Sequence, residues 1–198
     1  KNGIIKKTAV EEFEQVRRSG LMAIKLDKED ELRWAKPTSG QDEIILVTTQ
    51  GQSVRFKEKD IRPMGRGAAG VRGIRLKKED EVVEMDIITT NNKQQTTNNK
   101  NLLIITENGF GKKTELKYYK IQKRGGSGIK TAKITGKTGK IVASQVLGEE
   151  LEDLIAISQK GQVIRTKLKD IRLAGRATQG VKIMKLGKDD KVASVTYI

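Results

Sequence analysis

The sequence predicts an all-β chain, a propeller-like repeat of four-stranded antiparallel blades forming a partial disc or a fragment of one. Three observations predict it. A turn glycine followed fifteen residues later by an arginine in a small Gly-rich loop occurs four times: Gly3 and Arg18, Gly51 and Arg66, Gly109 and Arg124, Gly161 and Arg176. Successive arginines stand 48, 58 and 52 residues apart, the length of one small antiparallel sheet and the mark of a propeller, solenoid or array. The apolar runs within each unit are short, rich in β-branched residues and bounded by glycine turns, as strands are. A chain of 198 residues with 35% hydrophobic and 33% charged content is also polar for one compact globule and suits units stacked side by side.

The second and fourth units show the elements in order. Glu43 to Thr48 (EIILVT) and Asp153 to Ser158 (DLIAIS) read as buried strands, followed by turns at Gly51 and Gly161. Ser53 to Phe56 (SVRF) and Val163 to Thr166 (VIRT) alternate apolar and basic residues, so a hairpin with a half-exposed second strand is expected. The Gly-Arg loop follows, then third strands at Gly70–Leu76 and Gly180–Leu186, acidic turns at Lys78-Glu79-Asp80 and Lys188-Asp189-Asp190, and closing strands at Val82–Ile87 and Val192–Val195. The third unit fits the same frame with Leu102–Thr106, Gly111–Thr114, Gly128–Ile134 and Ile141–Val146. The first unit begins at the turn Asn2-Gly3 and shows later strands at Gly20–Leu26 and Glu31–Ala35 without an opening strand. The expected single repeat domain, 1–198, thus divides into units at about 1–37 (partial), 41–88, 101–147 and 151–198, with a polar low-complexity insertion at 89–101 read as a surface loop.

The chain contains neither cysteine nor histidine. Disulfides, thiolate or imidazole metal sites and imidazole-dependent catalysis are therefore excluded, and a non-catalytic protein without cofactor is expected. Tyr118 and Tyr119 have no acidic cluster or base beside them and read as packing residues. Neither a signal-peptide core nor a membrane-length apolar run is found, so a cytoplasmic protein without a membrane partner is expected.

With 40 Lys and Arg against 25 Asp and Glu, the formal charge is +15, which predicts a polyanionic partner, duplex DNA before others. Basic residues recur after the first turn (Lys6, Arg55, Lys112, Arg165), in the Gly-rich loop (Arg18, Arg66, Arg124, Arg176) and in the following strand (Lys25, Arg72 and Arg75, Lys130 and Lys133, Lys182 and Lys185). Units related by rotation would set these cations in a curved stripe that fits a bent duplex backbone, with contacts to phosphate and no base reading. The competing interpretation of the arginines is that they tie one unit to the next. Aromatic content of 4% disfavours a stacking platform for single strands. A scaffold that binds an acidic protein is the alternative of a different class.

Two glycine patterns carry no nucleotide chemistry. Gly65 to Gly70 satisfies G-x-G-x-x-G but precedes a strand where a dinucleotide site needs a helix. Gly136-Lys137-Thr138-Gly139-Lys140 lacks phosphate-loop spacing and reads as a hairpin turn.

The segment Gln122-Lys123-Arg124-Gly125-Gly126-Ser127-Gly128 (QKRGGSG) resembles the basic signature box of the DNA gyrase A C-terminal domain. Val54 to Leu76 and Val163 to Leu186 look like further blades of it, so the resemblance covers essentially the whole chain. The related C-terminal domain of topoisomerase IV is the close alternative. The resemblance implies a β-pinwheel, whose blades exchange strands and which wraps duplex DNA on its rim with positive handedness. It implies as partners DNA and the catalytic core of the parent topoisomerase, built from gyrase A and gyrase B, at the bacterial nucleoid. It implies DNA contact by Gln122, Lys123, Arg124, Gly125, Gly126 and Gly128, Ser127 standing where a basic residue is common. Charge geometry adds Lys130, Arg18, Arg66, Arg72, Arg176, Lys182, Arg55, Arg165 and Lys112.

Overall fold

The computed structural model describes residues 1–16, 18–89, 100–148 and 150–198. Three opening strands, β2 (Glu43–Thr48), β6 (Asn101–Thr106) and β10 (Asp153–Ser158), each lie between two antiparallel neighbours. One neighbour follows across the glycine turn: β3 (Gln52–Lys57), β7 (Phe110–Glu115) or β11 (Val163–Lys167). The other is the closing strand: β5 (Val82–Ile88), β9 (Ile141–Leu147) or β13 (Val192–Tyr197). The register shifts at the same place in all three, at Val47/Thr48, Ile105/Thr106 and Ile157/Ser158. A bulge there adds twist just before the turn. Residues 90–99 of the expected insertion lie outside the described residues, and Asn101 pairs with Glu115 and Leu147 inside the sheet.

The expected third strands are much shorter and belong elsewhere. They reduce to β4 (Val71–Arg72), β8 (Ile129–Lys130) and β12 (Val181–Lys182), and each pairs with the unit before its own. β4 joins β1 (Ile4–Ile5), β8 joins β3 and β12 joins β7. The resulting sheets run β5-β2-β3-β8 and β9-β6-β7-β12, beside a three-stranded β13-β10-β11 and the β1-β4 pair. Four-stranded sheets are thus completed by exchange, not by one unit alone. The crossing glycines must accept a left-handed backbone close to the neighbour: Gly128 has φ +71°, and a Cβ there would stand 2.3 Å from the Ser53 carbonyl oxygen. Gly180, at φ +81°, faces the Gly111 carbonyl in the same way. Only glycine fits these two points. The strands expected at Gly20–Leu26 and Glu31–Ala35 do not form, because strand conformation needs a ladder partner and none is present among the described residues.

Alternation along the opening strands packs successive sheets into three cores. Ile44 and Leu46 join Ile5, Val54, Phe56, Ile61 and Ile74 on one face of β2. Ile45 and Val47 on its other face meet Leu102, Ile104, Leu116 and Tyr119 of the next unit. Leu103 and Ile105 in turn meet Leu154, Ala156, Leu168 and Met184. β2 and β6 are apolar on both faces because each is covered on both, whereas β10 is covered on the face of Leu154 and Ala156 and leaves Ile155 half-buried and Ile157 exposed, contrary to the buried strand expected there. Tyr119 is buried and its hydroxyl accepts a bond from Thr131, while Tyr118 is exposed.

Acidic turns brace the glycine turns of the first, second and fourth units. Asp80 Oδ1 accepts from the Gln50 amide and the Thr49 hydroxyl, Asp190 Oδ1 from the Lys160 amide, and Asp30 Oδ1 from the Asn2 amide. At one side of the array β5 contacts β9 and β9 contacts β13, with Asp86 accepting from the Val146 amide and the Gln145 side chain across the junction. The closing strands therefore lie together at the inner side. The exchanged strands β4, β8 and β12 stand at the outer edge of each sheet.

Candidate nucleic-acid interface

The outer edge carries a repeated pair of cations. In each exchanged segment, residues two and five after the crossing glycine are basic and exposed: Arg72 and Arg75 after Gly70, Lys130 and Lys133 after Gly128, Lys182 and Lys185 after Gly180. Lys25 holds the second of these positions in the first unit and is also exposed. Alternation within the two-residue strand turns the first cation outward, and the second lies beyond the strand, next to the buried Ile74, Ala132 or Met184. Val71, Ile129 and Ile183 pack against the cores, while the basic residues beside them point away. Arg18 and Lys123 are exposed as well.

The cations after the first turn behave differently, and they occupy two registers. The pairing that sets Ile5, Ser53 and Gly111 opposite β4, β8 and β12 places Lys6 and Lys112 three residues after their glycines, and Arg55 and Arg165 four after theirs. At the later position Arg55 is buried. Its Nε donates to Glu43 at 2.7 Å, and its Nη1 donates to the carbonyls of Leu116 and Tyr119 in the next unit at 3.0 and 3.1 Å. Arg165 makes the same pair with Asp153, Nε to Oδ2 at 2.8 Å, but its side chain is 67% exposed. At the earlier position Lys112 is buried, its Nζ donating to the carbonyls of Gly175 and Arg176 and to the Thr178 hydroxyl. Burial, helped by the Arg176 charge, lowers the Lys112 ammonium to about 8. Lys6 donates to the carbonyls of Ala23 and Arg66 at 2.7 and 2.6 Å, and burial pulls it below the usual lysine range.

The loop arginines Arg66, Arg124 and Arg176 are half-buried. Arg124 donates through Nε to the Asp60 carbonyl at 2.9 Å and through Nη1 to the Arg72 carbonyl at 3.1 Å. Arg176 donates to the Lys130 carbonyl at 3.0 Å. The QKRGGSG segment is clamped to the preceding unit along its length: the Gln122 amide donates to Arg55, the Gly125 amide to Gly73, and the Gly126 carbonyl accepts from Arg75. Gly125 (φ +80°) lies against the Arg72 backbone.

Sequence reasoning grouped the cations by spacing from glycine and missed that Arg55 and Lys112 have their protons taken up by protein oxygens. One signal was present. Glu43 and Arg55 are twelve residues apart, as are Asp153 and Arg165, and the hairpin register makes each a diagonal pair on one face, with Arg55 opposite Ile45 and Arg165 opposite Ile155, two residues along from the acid. Among the described residues no cluster of acidic side chains could hold a metal ion, and no helix is long and apolar enough to cross a membrane.

Comparison with known proteins agrees with this architecture. The chain is 40% identical to the A subunit of DNA gyrase from Staphylococcus aureus (strain MRSA252) over 199 aligned positions, which cover all of this chain and 22% of that protein. It therefore spans about a fifth of the length of such curated relatives. A solved structure of a DNA gyrase A C-terminal domain superposes with a TM-score of 0.81 at 25% identity, over 99% of this chain and 62% of that one. The C-terminal domain of a DNA topoisomerase IV superposes with 0.89 at 26% identity, over 100% and 59%. The family described as DNA gyrase C-terminal domain, beta-propeller, matches residues 1–39, 42–89, 100–147 and 152–198. Matched by that family in all four of its units, the chain belongs to the DNA gyrase C-terminal domain family.

Proposed function

We propose that this chain binds duplex DNA along its outer edge and wraps it without regard to sequence, as the accessory C-terminal region of a type IIA topoisomerase. The reading rests chiefly on the exposed cation pairs at one register in every exchanged strand. Seven such residues, Lys25, Arg72, Arg75, Lys130, Lys133, Lys182 and Lys185, follow the curve of successive sheets and face solvent without a carboxylate partner among the described residues. Cations with this placement neutralise phosphates and release counterions; they do not read base edges. Strand cleavage and ATP use would belong to the catalytic core of the parent, formed by gyrase A and gyrase B in the bacterial cytoplasm, with the wrapped segment guiding strand passage toward supercoiling.

The superposition on a topoisomerase IV domain favours a second reading, in which the same edge docks DNA without chiral wrapping. Both readings share the salt dependence. If the seven cations each meet a phosphate, log K for a mixed-sequence duplex should fall with log salt with a slope of about −6. Fluorescence anisotropy between 50 and 200 mM salt would then show a loss of about three to four orders of magnitude. A slope near −1 would remove the edge as the binding surface.

A further inference from the structure

The loops that carry Arg66, Arg124 and Arg176 are held in two different ways. Beneath the loops of Arg66 and Arg176 sits a lysine from the preceding unit, Lys6 or Lys112, whose ammonium binds the carbonyl of that arginine itself. Beneath the loop of Arg124 the equivalent position is Val54, an apolar core residue. The arginines compensate accordingly. Without a lysine below it, Arg124 spends Nε and Nη1 on the carbonyls of Asp60 and Arg72. With one, Arg176 makes a single bond to Lys130, and the Arg66 guanidinium makes none among the described residues.

We infer that Lys6 and Lys112 are positioning residues for DNA binding, each seating the next unit's Gly-Arg loop so that Arg66 and Arg176 are free to take phosphate, whereas Arg124 is chiefly a clamp between units. The inference rests on the DNA-binding reading above. Three ammonium protons on Lys112 meet three oxygens of one loop, Gly175 O, Arg176 O and Thr178 Oγ1. This satisfies a buried cation and fixes the loop in one geometry. A guanidinium relieved of structural bonds keeps its donors for a phosphate, which it can grip bidentately. The buried ammonium also adds its field to the same loop, which favours an anion there.

The test is a double-mutant cycle on duplex affinity at 100 mM salt with Arg176→Ala, Lys112→Met and their combination. Arg176→Ala should weaken binding about tenfold and make the salt slope shallower by about 1. Lys112→Met should cost about fivefold in the native background and less than twofold once Arg176 is alanine. Equal losses in both backgrounds would mean that Lys112 acts by direct contact, by net charge or through global stability, and the inference fails. It also fails if Arg176→Ala leaves affinity and slope unchanged in a protein that still binds with a steep slope. Absence of a steep slope in the native protein would instead overturn the DNA reading itself. The half-buried Lys6 with Arg66 supplies a second cycle whose single variants disturb less core, and Arg124→Ala should lower the melting temperature while changing the slope by well under 1.

Discussion

Arg55→Ala is expected to destabilise the protein by about 3–5 kcal/mol, the range for breaking a buried ion pair by removing one partner. Its sequence counterpart, Arg165→Ala, is expected to cost less than about 1 kcal/mol, as exposed pairs do. Both arginines sit diagonally across the hairpin from an acid, at the same register, and both make the same Nε bond to it. Burial decides the difference. Arg55 and Glu43 are 6% and 8% exposed, so alanine would strand a carboxylate away from water and orphan the carbonyls of Leu116 and Tyr119, whereas Asp153 beside an exposed Arg165 can recruit solvent. The combined change Arg55→Met with Glu43→Leu should recover most of the loss, since a packed apolar pair replaces a buried ionic one at little cost. Urea denaturation of the three variants checks this, and equal losses for Arg55→Ala and Arg165→Ala would contradict it. Folded Arg55→Ala protein should also keep the native salt slope, because that guanidinium is not available to DNA.

Removing Arg75, Lys133 and Lys185 together by alanine should make the salt slope shallower by about 3, from about −6, and weaken binding to any duplex sequence by a similar factor. These three are exposed at one register of successive exchanged segments, so folding should change little. The backbone of Arg75 and of Lys133 nonetheless helps seat the neighbouring loop, the Arg75 amide donating to Gly126 and the Lys133 amide to Thr178, and alanine preserves those bonds. Anisotropy on two duplexes of unrelated sequence separates loss of phosphate contact from loss of base contact. A variant that weakens one sequence far more than the other would argue for base reading at this edge.

Much of this architecture could be read from local patterns because the repeat imposes them. EIILVT reads as a buried strand and is buried throughout because neighbouring elements cover both its faces, whereas DLIAIS reads the same yet leaves Ile157 exposed, because nothing covers that face among the described residues. The exchange was not legible from residue patterns. Gly20–Leu26 and Gly128–Ile134 read alike, yet only the second finds a partner strand, since a two-residue strand is defined by what it pairs with. The same holds for charge. SVRF and VIRT have one pattern, but the Arg55 side chain is covered by Leu116 and Tyr119 of the next unit, whereas that of Arg165 remains in solvent. A lysine three residues after a turn glycine likewise gives no local sign that its ammonium will be consumed by a loop more than sixty residues away. Burial here is a property of the joint between units, so it escapes any reading of one unit at a time.

Bending a duplex over a few turns costs several kcal/mol, so tight binding and chiral wrapping are separate achievements. The direct measurement is a linking-number assay. The protein is bound to relaxed closed-circular DNA, the complex is relaxed again with a type I topoisomerase, and the deproteinised products are resolved with their sign. A positive shift that grows with protein and shrinks in the Arg75, Lys133, Lys185 triple variant is the predicted result. Tight, salt-sensitive binding with no shift would contradict wrapping and leave a docking surface of the topoisomerase IV kind.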